Sequence, residues 1–512
     1  MNRMPYITVE EILLENQQAS FDVGKYGVAF GYAKKGKPNT PLRISKTLDF
    51  RTVFGDPSLG FHSNFHYTAL NSLGEAPLWC MRIANAILSG GCVICTAAGT
   101  NHSVSAGIPD ISGYAFATND LLLFAGNTYG DSDNDIGIKI PSVDDTLKTF
   151  VVEVYLKVSG VYTKKESFQV SRIKEKKDGF GESMYVVDKI NKNSQYVICV
   201  DNTDELETVS PKVQSSTVLA CAEGDSGTEP ANSDIVTALE NLSDLATLNV
   251  FTFPDCGYTH TTVQAKITSI LDTALCGLGL FSAPFGSSTA DAISHKASAA
   301  ITSEYTAWYF PNTNVEDVIN GRSGIPLGAS AALQKQYLNH STDNFTVPMF
   351  EQFLLPGVLE QILSAADCQL LLDAMINPIT AVTGVGNYAQ TELTSWPSEG
   401  FAQRISVRLL LNYVKTWLRV NFTGFRGKRF TLDVMQKAQS KLQTLLTYLL
   451  GQEAILAPPE GTAKAVCDQS INNLNTDTLN AVLYMTPTSI IKNLAVKVIV
   501  TPAGVDISVS VV

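Results

Sequence analysis

SEYTAWYFPNTNVED, residues 303 to 317, contains an aromatic-rich apolar run, Tyr305 to Phe310, that stops at Pro311 and Asn312. A continuous run of this length, bounded by turn formers, reads as a buried strand. Upstream, a helix at Ile235 to Leu242, with Asp234 at its cap, leads to the strand Asn249 to Phe253 (NVFTF), which ends at Pro254 and Asp255. A helix at Thr261 to Ala274, the strand Cys276 to Ser282 and a helix at Thr289 to Ser298 then lead back to Tyr305. Regular alternation of helix and strand implies a mainly parallel sheet. Residues 234–358 are therefore predicted to form a central α/β domain.

Before this region the chain reads as strand Gly27 to Tyr32, a turn cluster at Gly36, Pro38, Asn39 and Pro41, and a second strand Leu42 to Ser45. A short helix Thr47 to Phe54, capped near Thr47 and stopped by Gly55, a helix Phe65 to Leu73 and a buried strand Pro77 to Ala84 complete residues 23–100. Residues 1–22 are polar and irregular apart from Tyr6 to Val9 and read as a leader or an extended arm. Residues 101–233 differ in composition. Gly, Asp, Asn and Ser punctuate strand-like runs at Leu121 to Ala125, Ile136 to Ile140, Thr149 to Val158 and Tyr196 to Val200, with Lys164, Lys165 and the KEKKDG run at 174–179 at hairpin tips. This is a β-rich insertion.

After Leu370 to Ile379 come two helices. Phe401 to Trp417 carries Ile405, Leu409, Tyr413 and Trp417 at helical spacing, and Leu432 to Leu450 carries Met435, Ala438, Leu442, Leu445 and Leu449. Gly451, Pro458 and Pro459 lead into short apolar runs at Thr462 to Cys467, Asn480 to Met485 and Ala495 to Val500, which should pair as a terminal sheet. Residues 359–500 are grouped as a C-terminal domain and 501–512 as a final strand. In that strand Ile507, Val509 and Val511 alternate with Ser508 and Ser510. No charge follows Asp506, so the edge is not blunted. It either docks on its own domain or is donated to a second subunit.

Of the 512 residues, 45% are hydrophobic and 17% charged, and the net charge is −12, which argues against a nucleic-acid groove, since phosphate binding relies on basic surface. No apolar run reaches the roughly 18 to 20 residues of a membrane span, and acidic residues stand where an export signal would have its apolar core. The 9 cysteines are scattered, pointing to a reducing assembly compartment. Enzyme signatures fail one by one. There is no G-x-S-x-G, and Gly286 to Ser288 lacks that frame. His62 and His66 are spaced i,i+4 without the glutamate of a zinc protease. Cys92 and Cys95 form a lone CxxC in an apolar run, read as a buried strand. Gly384-Val385-Gly386 lacks the third glycine of a dinucleotide loop. No catalytic, cofactor or metal residue is assigned. Were the chain an enzyme, the strand ends Phe253 to Asp255 and Ala283 to Phe285 would flank its pocket; a capsid or surface lattice protein is the other alternative.

Several segments resemble the contractile tail sheath proteins of bacteriophages and related injection machines. They are the G-x-A-x-x-G turn at Gly31 to Gly36, Asn39 to Pro41, Phe50 with Phe54 and Gly55, and Trp79 to Ile83 including Arg82. Gly130 to Ile140, Thr149 to Leu156, Ile190 to Val200, the 303–317 run and Leu370 to Ile379 continue the match in order. Gln334 to Asn339 and Pro348 are looser counterparts.

The resemblance implies an α+β or α/β multidomain sheath fold: a central α/β domain, a β-rich outer insertion and a terminal α/β domain bearing extended N- and C-terminal arms. It implies a structural, non-enzymatic subunit of the virion tail, assembled in the host cytoplasm. Its partners would be other copies of itself, the tail tube, the baseplate and the tail terminator or neck, with no direct nucleic-acid binding and no membrane insertion. The arms would be Tyr6, Ile7 and Val9 at one end and Ile507, Val509 and Val511 at the other. Basic residues concentrate at Arg404, Arg408, Lys415, Arg419, Arg426, Lys428, Arg429, Lys437 and Lys441. They read either as solvated helix faces with local ion pairs or as a patch for an acidic partner. The resemblance makes that partner the tube and makes Arg426, Lys428, Arg429, Lys437 and Lys441 the tube-facing candidates.

Overall fold

The computed structural model describes residues 25–57, 64–340, 355–472, 478–488, 497–501 and 504–508, apart from single residues at 86, 215, 318, 383 and 385. They fall into two compact units, one of residues 25–341 and 347–408, the other including 409–512.

The larger unit is organised on an eight-stranded sheet in the order Leu42–Ile44, Leu78–Arg82, Tyr26–Gly31, Val250–Pro254, Leu278–Ser282, Thr306–Phe310, Ile376–Val382 and Gly386–Ala389. The six inner strands run parallel, and each edge strand is antiparallel to its neighbour. This is the mainly parallel sheet expected from the 234–358 alternation, widened by strands from both earlier and later in the chain. Strands Leu278–Ser282 and Thr306–Phe310 are buried throughout, as a sheet covered on both faces requires. The alternation of side chains makes this explicit. Val28, Phe30 and Met81 join the core under helices Thr261–Ala274 and Thr289–Ala299. Ala29, Leu78 and Cys80 join a second core with Phe50, Phe54, Phe65 and Leu338.

Helix Thr47–Phe54 has the expected range, but Lys46 precedes it in extended conformation and no side chain caps it. The anticipated cap near Thr47 is absent because Thr47 is already the first helical residue. Asp234 is not the cap either: its helix starts earlier, at Asn232 after Ala231, and Asp234 lies in the first turn, its carboxylate reaching back to accept from the Ala231 amide at 3.0 Å.

The insertion forms two antiparallel sheets. One runs Val197–Asp201, Asp120–Gly126, Gly91–Cys95, His102–Ser103; the other runs Val161–Val170, Thr149–Val158, Ile136–Lys139, Leu219–Ala220. Cys92, Ile94, Leu122 and Phe124 of the first meet Ile136, Ile138, Val152 and Val154 of the second in one core. Lys164 and Lys165 do not sit at a hairpin tip. The tip is Ser159-Gly160, whose positive φ values of 50° and 84° suit a two-residue turn, and both lysines lie along the following strand.

In the smaller unit, helices Ile405–Phe422 (from Leu409 onward) and Leu432–Gly451 bury the two predicted stripes, with Trp417, Leu445 and Leu449 fully enclosed. Ala463–Val466 pairs with Val482–Met485. The single terminal sheet expected from sequence is instead two separate ladders: Lys497–Thr501 pairs with Gly504–Ser508. Two strands joined through so short a connection pair with each other first, because closing that loop costs least.

Candidate functional site

The basic residues divide by environment. Arg408 is buried in the larger unit, where its Nη1 donates to Glu304 Oε1 at 2.9 Å and its guanidinium lies 4.5 Å from the Tyr305 ring. It therefore leaves the exposed patch, a correction that follows from its position on the inner face of its helix. Arg426, Lys428 and Arg429 are exposed on the connection between the two helices of the smaller unit. There the helix Leu432–Gly451 is capped by Thr431, whose hydroxyl accepts from the Val434 amide at 3.3 Å. One turn on, Lys437 Nζ lies 2.8 Å from Asp433 Oδ2, both side chains being about two-thirds exposed at 67% and 66%. Lys441 differs. Its Nζ donates to the Asn421 carbonyl at 3.0 Å and stands 5.4 Å from the centre of the Phe425 ring. Burial, then the charge of Lys428, lowers its pKa. Lys437 is thus a surface charge and Lys441 a half-buried strut.

Of the arm residues, Tyr6, Ile7, Val9, Val509 and Val511 lie outside the described residues. Ile507 pairs through its backbone with Val498. Among the described residues no other strand adds to the Gly504–Ser508 ladder.

The strand ends named for a hypothetical pocket hold a closed network. Asp255 is fully buried and accepts from Ser330 Oγ at 2.7 Å, the Ser282 amide at 2.8 Å and Gln264 Nε2 at 3.1 Å. Burial raises its pKa, opposed by these donors. His295 Nε2 is 3.1 Å from Gln264 Oε1, so a glutamine stands between histidine and carboxylate where a proton relay would need them adjacent. The network ties strand ends to helices and leaves Asp255 with no room for a reacting group. An open groove of about 1090 Å³ lies elsewhere, lined by Tyr67, Asn71, Glu316, Asp317 and Val358. Burial would raise the pKa of Asp317, but Asn320, Tyr67 and Arg322 donate to it and hold it at about 2.

His66 is enclosed by Phe50 and Phe65, each ring 5.5 Å away. Its i,i+4 partner, His62, is outside the described residues. Cys92 and Cys95 diverge: Cys92 Sγ is 3.7 Å from Cys221 Sγ in the core, whereas Cys95 gathers with His102 and Asp120, their ligand atoms all within 4.8 Å of one another.

Two residues with long reach went unread as such. Arg82, buried, donates to the carbonyls of Gly36 at 2.7 Å, Tyr129 at 2.7 Å and Ser226 at 2.8 Å, clasping the first strands to the insertion. Arg172 pairs with Asp201 at 2.7 Å and donates to the carbonyls of Asn202 and Leu206, each at 2.8 Å. The only sequence signal for either was an arginine at the end of an apolar strand. Gly36 is needed beneath this clasp: its φ is +100°, and a Cβ there would meet Phe54 at 2.8 Å.

No family model and no curated protein matches the sequence. Solved structures do match. A sheath tail protein from Desulfitobacterium hafniense is 13% identical with a TM-score of 0.53, over 95% of this chain and 100% of that one. One from Listeria innocua is 12% identical with a TM-score of 0.54, over 91% and 95%. The helical sheath of the anti-feeding prophage in its contracted state is 11% identical with a TM-score of 0.52, over 97% and 99%. Sequence likeness at this level is too low to carry function, while the agreement in fold runs nearly end to end. The chain has the fold of the sheath tail proteins.

Proposed function

We propose that the chain is the structural subunit of a contractile tail sheath, polymerising as a helical sleeve around a tail tube and shortening to drive that tube through a bacterial envelope. The observation that carries this reading is the match over 97% of the chain to a helical sheath in its contracted state, which extends through both compact units. A heterologous interface propagates into a helix when rotation does not close a ring. Work on contraction comes from the difference in inter-subunit contact between two lattices, which a population of subunits can release without nucleotide.

In this reading 1–22 and 501–512 are arms that add strands to neighbouring subunits, and 101–233 is the outward domain. Of the C-terminal residues 359–500, those up to 408 belong to the larger unit and its central sheet, and the smaller unit faces the tube and presents Arg426, Lys428, Arg429 and Lys437 to an acidic partner. The baseplate and the tail terminator hold the two ends, and the assembled protein resides in the virion tail. No helix among the described residues is long and apolar enough to cross a membrane.

Negative-stain microscopy of the purified chain tests the assignment. Hollow tubes are expected; flat sheets or closed shells would make it a lattice protein, and discrete particles that never polymerise would remove the sheath reading.

A further inference from the structure

Cys95, His102 and Asp120 gather in the insertion, away in sequence from both proposed arms and from the basic residues of the smaller unit. Between strand Gly91–Cys95 and the short strand His102–Ser103 the chain makes a tight excursion, residues 96–101. The ladder with Asp120–Gly126 shifts register between Ile94 and Cys95, and this shift sets Cys95 opposite Asp120. Gly99 allows the excursion to close over the sulfur, since a Cβ there would lie 2.6 Å from Cys95 Cβ and 3.2 Å from Sγ.

Four polar atoms converge. Cys95 Sγ is 3.8 Å from His102 Nδ1, 3.6 Å from Asp120 Oδ1 and 3.2 Å from the Thr100 carbonyl oxygen. His102 Nδ1 is 3.0 Å from that same oxygen. Hydrogen bonding alone leaves one contact unmade, because a single thiol proton faces both Thr100 O and Asp120 Oδ1. A metal ion would engage all three side chains at once, after small shifts of their ligand atoms. Zinc bonds of about 2.3 Å to sulfur and about 2.0 to 2.2 Å to nitrogen and oxygen put tetrahedral ligand atoms roughly 3.3 to 3.7 Å apart. The second carboxylate oxygen of Asp120 accepts from the Ala117 amide at 2.9 Å, which aims Oδ1 at the sulfur. The Cys95 amide donates to Asn101 Oδ1 at 2.8 Å, which holds the excursion over the site. Such outer contacts orient ligands in metal centres. Lys212, whose ammonium is engaged by the Gly99 carbonyl, is the neighbouring cation. Cys95 and Asp120 are buried and His102 is exposed, so an ion reaches the site past the imidazole.

We propose that Cys95, His102 and Asp120, with the Thr100 carbonyl or a water in the fourth position, form a structural site for a thiophilic divalent cation of the zinc class. Binding releases the thiol proton to solvent and moves the imidazole proton from Nδ1 to Nε2. The thiolate and the carboxylate then balance the two positive charges. A sulfur ligand selects against calcium and magnesium, which take oxygen. The bound ion staples the 96–101 excursion to the first sheet of the insertion, whether or not the chain assembles.

The test uses the full chain freed of metal by chelation and titrated with zinc or, as a spectroscopic probe, cobalt(II). One ion per chain is expected, with thiolate-to-cobalt charge-transfer absorption in the near ultraviolet and a rise in melting temperature on zinc addition. Cys95→Ser abolishes the absorption. His102→Ala, a change at an exposed ring that leaves the fold in place by circular dichroism, weakens zinc binding by at least about tenfold and removes the rise in melting temperature. Failure of the wild-type chain to take up zinc, or equal binding by His102→Ala, overturns the site; equal binding would assign the ion to other cysteines.

Discussion

His66 shows how a single buried group sets a pH dependence. Burial among Phe50 and Phe65, opposed by a hydrogen bond to the Phe54 backbone, lowers its pKa from 6.5 to about 4. The unfolded chain therefore binds a proton between these values that the folded chain refuses, and stability falls as pH drops from 6.5 toward 4. This one group contributes a loss of about 3 kcal/mol across that window. Urea unfolding of His66→Phe is expected to show a flatter acid limb than the wild type, and identical limbs would place the acid sensitivity elsewhere. Arg82 supplies the second case. Its planar fork serves four carbonyls, of Gly36, Thr128, Tyr129 and Ser226, from three separate loops, a geometry an ammonium cannot reproduce. Arg82→Lys should cost about 3 kcal/mol by leaving buried carbonyls unpaired, measured as a lowered denaturant midpoint; an unchanged midpoint would show that water replaces the lost donors.

The helix Leu432–Gly451 separates two lysines that the sequence treats alike. Both lie on a basic stretch at helical spacing, yet Lys437 pairs with Asp433 in solvent while Lys441 braces the Asn421 carbonyl. An exposed i,i+4 pair is worth only about 0.3 to 0.5 kcal/mol. Lys437→Glu should therefore leave the melting temperature almost unmoved while reducing sheath assembly on preformed tubes, scored by sedimentation. Lys441→Glu is expected to lower stability as well, so its effect on assembly alone would not test the tube contact. If Lys437→Glu assembles as wild type does, the tube-facing role of this surface is lost. The terminal ladder divides in the same way. Removing Asp506–Val512 would strip Lys497, Val498 and Ile499 of their partners Ser508, Ile507 and Asp506. A chain ending at Ser508 keeps the hairpin and deletes only Val509 to Val512, and it should form fewer and shorter tubes by electron microscopy. Tubes of normal length from that chain would mean that the last four residues link no neighbours.

Across the molecule, the elements were legible where local chemistry decides them. The helix Thr261–Ala274 and the strands near Val250, Leu278 and Thr306 stand where their apolar periods and turn residues put them, because side-chain period and loop-forming residues are properties of the chain itself. The sheath-like order of motifs was legible for the same reason, being a succession of such elements. Partnership was not. Nothing in the period of Tyr26–Gly31 says that it lies between Leu78–Arg82 and Val250–Pro254, and nothing in Ala495 to Val500 distinguishes a strand of the neighbouring ladder from one with its own ladder. The Cys95 cluster escaped because CxxC spacing directs attention to Cys92, whereas the register shift at Cys95 turns its sulfur toward His102 and Asp120. Sequence alone placed the main helices and strands of the central region and the two late helices. The joining of distant strands into one sheet, the burial of Arg408 against Glu304 and Tyr305 and the convergence on Cys95 were decided only by tertiary structure, since each depends on hydrogen bonds and desolvation between residues that meet only after the chain has folded.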